Sequence, residues 1–209
     1  VTAWRGERRP GTIAGMRHDL ADLLETAASL LDSAGPLEPL HVAVGGRDVR
    51  ITFTPGVPLA DQRASVDRLA AATGATPTHS NLGAAAATYT FSAELPGSRF
   101  LLVGTHPTIS RPRPCRTTST EATAALLRAL APWGRALSTR CVDVCELVAQ
   151  DDEERLTVQL VVESDGDPGE TLRLAAAGTT GLWRCREGEA GLDARGRLPS
   201  GETVMVSVM

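Results

Sequence analysis

The stretch CVDVCELV, residues 141–148, holds the closest pair of thiols in a chain of 209 residues; the other two cysteines are Cys115 and Cys185. Two thiolates share one zinc ion only when their sulfurs come within about 4 Å, because each Zn–S bond is about 2.3 Å long. Val142 and Val144 put β-branched residues at alternate positions between the cysteines, which favours a strand. Four strand residues span about 13 Å. Extended geometry therefore denies Cys141 and Cys145 both a common metal and a direct disulfide. They read as packing or inert thiols. Cys115 and Cys185 offer no close CxxC spacing to complete a zinc set. No metal and no cofactor is expected.

The four histidines, His18, His41, His79 and His106, form no HxH or HExxH pattern. His79 lies in THSNLG, read as a loop, and His106 in GTHP, read as a strand end. Both flank one expected strand pair and would meet if that pair closes a groove. Tyr89 and Arg99 would then join them as polar lining, with Asp61 or Glu94 supplying a carboxylate. No GxSxG elbow accompanies the serines. VGG at 44–46 and GTTGLW at 178–183 fall between expected strands, whereas a phosphate cradle needs a helix directly after the glycines. Both read as hairpin turns. DDEE at 151–154 and SDGDPGE at 164–170 lack the full calcium-loop spacing and read as solvated turns.

All 21 basic residues are arginine, which removes a lysine Schiff base and a P-loop lysine from the possibilities. The formal net charge is −4, so the chain has no general attraction for phosphate backbones. Its best anion-contacting patch is Arg5, Arg8 and Arg9 together with Arg111, Arg113 and Arg116. No basic recognition helix accompanies them, and few aromatic residues are free to stack on bases. Nucleic acid is accordingly an unlikely partner.

The elements that must position these groups follow from periodicity. Residues 1–15 read as a flexible leader. Leu20, Leu23, Leu24, Ala27, Leu30 and Leu31 repeat at helical spacing. HVAV at 41–44 and DVRITFTP at 48–55 form a hairpin around Gly45-Gly46. A second helix follows, with Asp61 as a candidate cap and Gly74 as its stop. Two more strands, from about Ala87 and over RFLLVGTH, complete an α-ββ-α-ββ half at 16–109. The repeated order suggests an internal structural repeat within that half.

Residues 107–118, rich in Pro and Arg, read as a linker or crossing. A third helix begins near Thr120, and Pro132 is expected to end or kink it. Strands at 140–149, 156–163, 171–176, 181–185 and 203–208 then make an antiparallel meander, so that 119–209 is the second half. Trp133 reads as a core or cap residue; Trp183 is a candidate anchor for a partner. The fold expected is α+β, with antiparallel sheets, about three helices on one face and two similar-sized halves.

No apolar run reaches a membrane span, and no secretory signal pattern opens the chain; a cytoplasmic protein with reduced thiols is expected. No convergent nucleophile, base, phosphate cradle or metal set emerges. The first expectation is therefore a non-catalytic protein-interaction or self-association module, with a homodimer as one form. The second is a small-molecule binding protein or enzyme with a groove lined by His79, Tyr89, Arg99 and His106. Nucleic-acid binding through the arginine patch is the third.

Overall fold

The computed structural model describes residues 20–46, 48–54, 56–81, 87–95, 99–105, 120–139, 143–152, 155–164, 167–177, 179–188 and 191–209. The leader, His18, His106, Cys115, Cys141 and the arginines Arg5, Arg8, Arg9, Arg111, Arg113 and Arg116 lie outside these residues.

Helix α1 (Leu20–Ala34) buries its leucine stripe, as its spacing predicts. Strands β1 (Leu40–Gly45) and β2 (Asp48–Phe53) pair antiparallel in register Gly45–Asp48, and Gly46 takes φ 59° in the turn between them. Helix α2 (Leu59–Thr73) stops at Gly74 in the left-handed conformation, φ 71°. Asp61 sits in its first turn without capping it; Pro58 holds the cap position. Then come β3 (Thr78–Asn81), β4 (Ala87–Leu95) and β5 (Arg99–Gly104). THSN, expected as loop, is thus an edge strand paired with β4.

The second half repeats this order: α3 (Thr120–Thr139), β6 (Asp143–Asp152), β7 (Arg155–Glu163), α4 (Pro168–Ala176), β8 (Thr180–Gly188), β9 (Gly191–Arg197) and β10 (Thr203–Val208). All ten strands form one sheet in the order β3-β4-β5-β2-β1-β6-β7-β10-β9-β8. That order is a five-stranded unit followed by its own reverse. The two units meet at β1 and β6, antiparallel, with Ala43 opposite Val148. The repeat expected inside the first half therefore lies between the halves.

Two features correct the expected architecture. The sheet is mixed, because β2 pairs parallel to β5 and β7 parallel to β10. After β2, helix α2 carries the chain to the sheet edge, and the β3-β4-β5 meander brings the last strand back beside β2 in the same direction. The same path in the second half breaks the expected antiparallel meander. The helices number four among the described residues. TLRLAA, expected as strand, is α4: Pro168 occupies its first turn, the Asp167 carboxylate accepts a 2.9 Å hydrogen bond from the Gly169 N–H, and Leu172 and Ala175 are buried one turn apart.

Helix α3 also runs through Pro132 to Thr139. Proline inside a helix costs about 3 kcal/mol through its missing N–H. Here Pro132 lies on the exposed side, while Leu126, Leu127, Leu130, Trp133 and Leu137 continue one buried stripe past it. Tertiary burial outweighs the local penalty. Thr120 ties the start of α3 to the α1–β1 connection, accepting from the Leu37 N–H at 2.8 Å.

Buried side chains of neighbouring strands stand level across the register, as in Val42 with Ile51, Val49 with Leu101, Leu147 with Leu160 and Val158 with Val204. They share one face of the sheet. The helices pack on that face, α1 against α3 over the seam, with α2 and α4 over the two outer parts.

Candidate functional site

The alternation that fills the core on one face leaves the other face to the intervening residues. Among the described residues no helix covers it. On β2 those positions are Arg50 and Thr52, both exposed. On β5 they are Phe100 and Leu102, which stay 47% and 42% exposed. Leu102 stands opposite Arg50 on one side and Ser92 on the other; Phe100 stands between Asp48 and Glu94. Half-buried Val148, Val161 and Met205 continue apolar surface on β6, β7 and β10. Across the seam, the Arg50 guanidinium donates to Glu146 Oε1 at 2.9 Å, bridging β2 to β6 over β1. Its side chains are 49% and 34% exposed, so the pair contributes at most about 1 kcal/mol.

This face was readable in part. β2 alternates apolar with polar residues, as a half-covered strand should. RFLLVG on β5 is apolar on both faces from Phe100 to Val103. Such a strand is either covered twice or leaves an adhesive surface.

A second polar group sits at the β3 edge, on the helix side. His79 lies directly across from Tyr89, with ring centroids 4.6 Å apart at an interplanar angle of 39°. The Tyr89 hydroxyl donates to Asp67 Oδ1 of α2 at 2.5 Å. Asp67 had no signal beyond its place on the polar side of a helix. Its accepted hydrogen bond raises the phenol's ionisation above the ordinary 10; burial and the Asp67 charge act the same way, and Arg63 acts against them. Tyr89 is the single tyrosine of the chain, so absorbance near 295 nm reads it alone. In the native protein it should titrate above pH 10, and Asp67→Asn should bring it back towards 10. The sign is fixed: tighter proton binding in the folded state stabilises below pH 10 and fades as pH rises through the raised value. A native titration at 10 or below would contradict the contact.

The expected groove lining is not assembled in one place. His79 and Tyr89 touch. Arg99 pairs with Leu95, six residues along β4 from Tyr89, which is about 20 Å of strand. His106 lies outside the described residues. Trp183 falls in β8 where the register with β9 shifts, between Thr180 and Arg184. Cys145 falls at a bulge in β6, where the register with β7 shifts between Val144 and Glu146. Cys185 stands level with Ala194 on the far side of the second half. Among the described residues no group of three or more His, Cys, Asp or Glu is placed to hold a metal ion. None of the six arginines expected to form an anion patch is among them either.

No protein-family description matches the chain, and no curated protein does. Among solved structures it is similar to a crystal structure of catechol 2,3-dioxygenase, with 10% sequence identity, 78% of this chain and 72% of that chain covered, and a TM-score of 0.23. A likeness that faint carries no argument about fold or chemistry. Among the described residues no helix is long and apolar enough to cross a membrane.

Proposed function

We propose that this chain is a non-catalytic self-association module in which two copies meet through the uncovered faces of their sheets. One observation carries the reading: Phe100 and Leu102 stand side by side on the β5 strand, large and apolar, at 47% and 42% exposure. Water contact with two such side chains is unfavourable; full burial of a fully exposed one releases about 1.5–3 kcal/mol, so covering the exposed part of each gives roughly half of that. An alternating sheet face is matched in shape by another sheet face, the two packing about 10 Å apart. A second copy always supplies that surface, and a two-fold arrangement closes with both patches used.

Sedimentation velocity over a wide concentration range tests it. The native chain should show a reversible monomer–dimer equilibrium. Phe100→Glu and Leu102→Glu, each with an unchanged far-UV spectrum, should weaken it by about tenfold or more. A native chain that stays monomeric throughout, or variants that associate equally well, would dismiss the reading.

A second reading is a small-molecule site at the β3 edge. The contact between His79 and Tyr89 favours it, since an aromatic pair with a carboxylate beside it suits a polar ring.

A further inference from the structure

We propose that the far wing of the sheet, β8 with β9, takes an extended acidic peptide as an added strand. The proposal shares with the preceding section only the premise that the chain is an interaction module.

Arg195 and Arg197 lie two residues apart on β9, both exposed, and take part in none of the ion pairs among the described residues. They share a face and stand about 7 Å apart. On β8, Arg184 stands level with Arg195, and Arg186 with Asp193. The two strands thus carry four arginines, two on each, against two acids, Glu187 and Asp193.

Two ordinary explanations fail. Edge strands often carry charge to prevent unwanted pairing. That accounts for Arg184 and Arg186 on the outermost strand. It does not account for Arg195 and Arg197, which lie one strand inward. The fold itself does not require arginine there either, and the repeat supplies the control. Val49 pairs with Leu101 in the first half as Val158 pairs with Val204 in the second. Leu102 then stands opposite Ser92 and Phe100 opposite Glu94, where Met205 stands opposite Arg195 and Thr203 opposite Arg197. The same positions in the other wing are a serine and an acid.

The edge decides the kind of partner. β8 spans nine residues, against four for β3 at the opposite edge. Among the described residues no strand pairs with the outer side of β8, and an added peptide strand would fill that ladder. Acidic side chains at alternate peptide positions repeat every 7 Å or so, the spacing of the arginines. Nucleic acid has no peptide backbone to continue a ladder, so the open edge discriminates against it where charge alone does not.

Fluorescence anisotropy with the whole chain tests the proposal. The probes are a labelled peptide alternating Glu and Val, its Lys/Val counterpart, two Glu/Val peptides N-methylated on the Glu or on the Val amides, and single-stranded oligothymidine. The Glu/Val peptide should bind and the Lys/Val peptide should not. One methylated phase should lose binding and the other keep it, since one edge of the added strand faces β8. Arg195→Glu with Arg197→Glu should weaken binding by about tenfold or more. Arg195→Gln is the milder variant should the charge reversals disturb folding, read by far-UV spectrum and unfolding midpoint. Equal binding of both peptide charges, equal binding of both methylated phases, or oligothymidine bound as tightly as the peptide would overturn it. Phe100→Glu should leave peptide binding unchanged. A dimer that binds no peptide removes this inference alone, and a monomer that binds the peptide removes the self-association reading alone.

Discussion

Trp133→Ala should lower the free energy of unfolding by about 3–5 kcal/mol, the usual cost of deleting a buried tryptophan side chain. Trp133 is 5% exposed in α3. Its indole N–H donates to the Ala175 carbonyl at 2.9 Å, which fastens α3 to α4. The substitution removes the ring, leaves a cavity between the two helices and deprives a buried carbonyl of its donor. Denaturant unfolding followed by far-UV circular dichroism measures the loss. Trp133→Phe fills much of the space and lacks only the N–H, so it should recover more than half of the difference. A loss below about 1 kcal/mol for the alanine variant would mean that this ring does not fill the interior.

Gly134→Leu should cost about 1–3 kcal/mol or somewhat more, through overpacking. Gly134 follows Trp133, about 100° further round the helix, and faces α1 instead of α4. A Cβ at that position would stand 3.2 Å from the Ala21 nitrogen, 3.2 Å from Leu20 Cγ and 3.3 Å from Leu24 Cδ1. A single methyl group needs shifts of a few tenths of an ångström, and it gains the roughly 1 kcal/mol of helix propensity that separates alanine from glycine. Gly134→Ala should thus be close to neutral. Leucine adds three further carbons against the backbone of α1 and must push the helices apart. Because α1 and α3 belong to different halves, the leucine variant should also loosen the seam. Faster hydrogen exchange in β1 and β6 would register that, and unchanged protection there would contradict it.

Several elements could be read from residues alone because one local pattern determined each. The leucine stripe of α1 has no competing strand reading. The β1–β2 hairpin has alternation on both sides and a glycine where positive φ is needed. Gly74 ends α2 for the same reason. The segment at 168–176 shows the opposite case. Leu172 and Leu174 alternate like a strand, whereas Leu172 and Ala175 repeat like a helix; a nine-residue run satisfies both periods. Asp167-Pro168, a cap followed by a residue suited to the first turn, was the deciding signal. Pro132 misleads in the other direction, since its local penalty is overridden by the buried residues on either side of it.

The candidate sites divide in the same way. His79 and Tyr89 meet because they are level on paired strands, and that register depends on THSN being a strand at all. Arg99 sits at the far end of the same sheet region because β5 runs antiparallel to β4. The wing of arginines was invisible: Arg184, Arg195 and Arg197 are scattered in sequence, and only the pairing of β8 with β9 gathers them.

The amino-acid sequence by itself determined the class of most elements, α4 and β3 excepted, and the side that α1, β1 and β2 bury, since helical and strand periods are properties of neighbouring residues along the chain. It also set which reactive types are on hand, with no lysine, four histidines in no HxH or HExxH pattern and four cysteines in no CxxC pair. Only the tertiary structure decided that β5 returns parallel to β2 and β10 to β7, that two halves of unlike sequence share one topology, and that they fuse through β1 and β6 into one sheet. Those outcomes depend on contacts between residues up to a hundred or so positions apart, for which burial on a common face constrains polarity but not identity. Two halves can therefore fold alike while one exposes phenylalanine and leucine on β5 and the other arginine on β9.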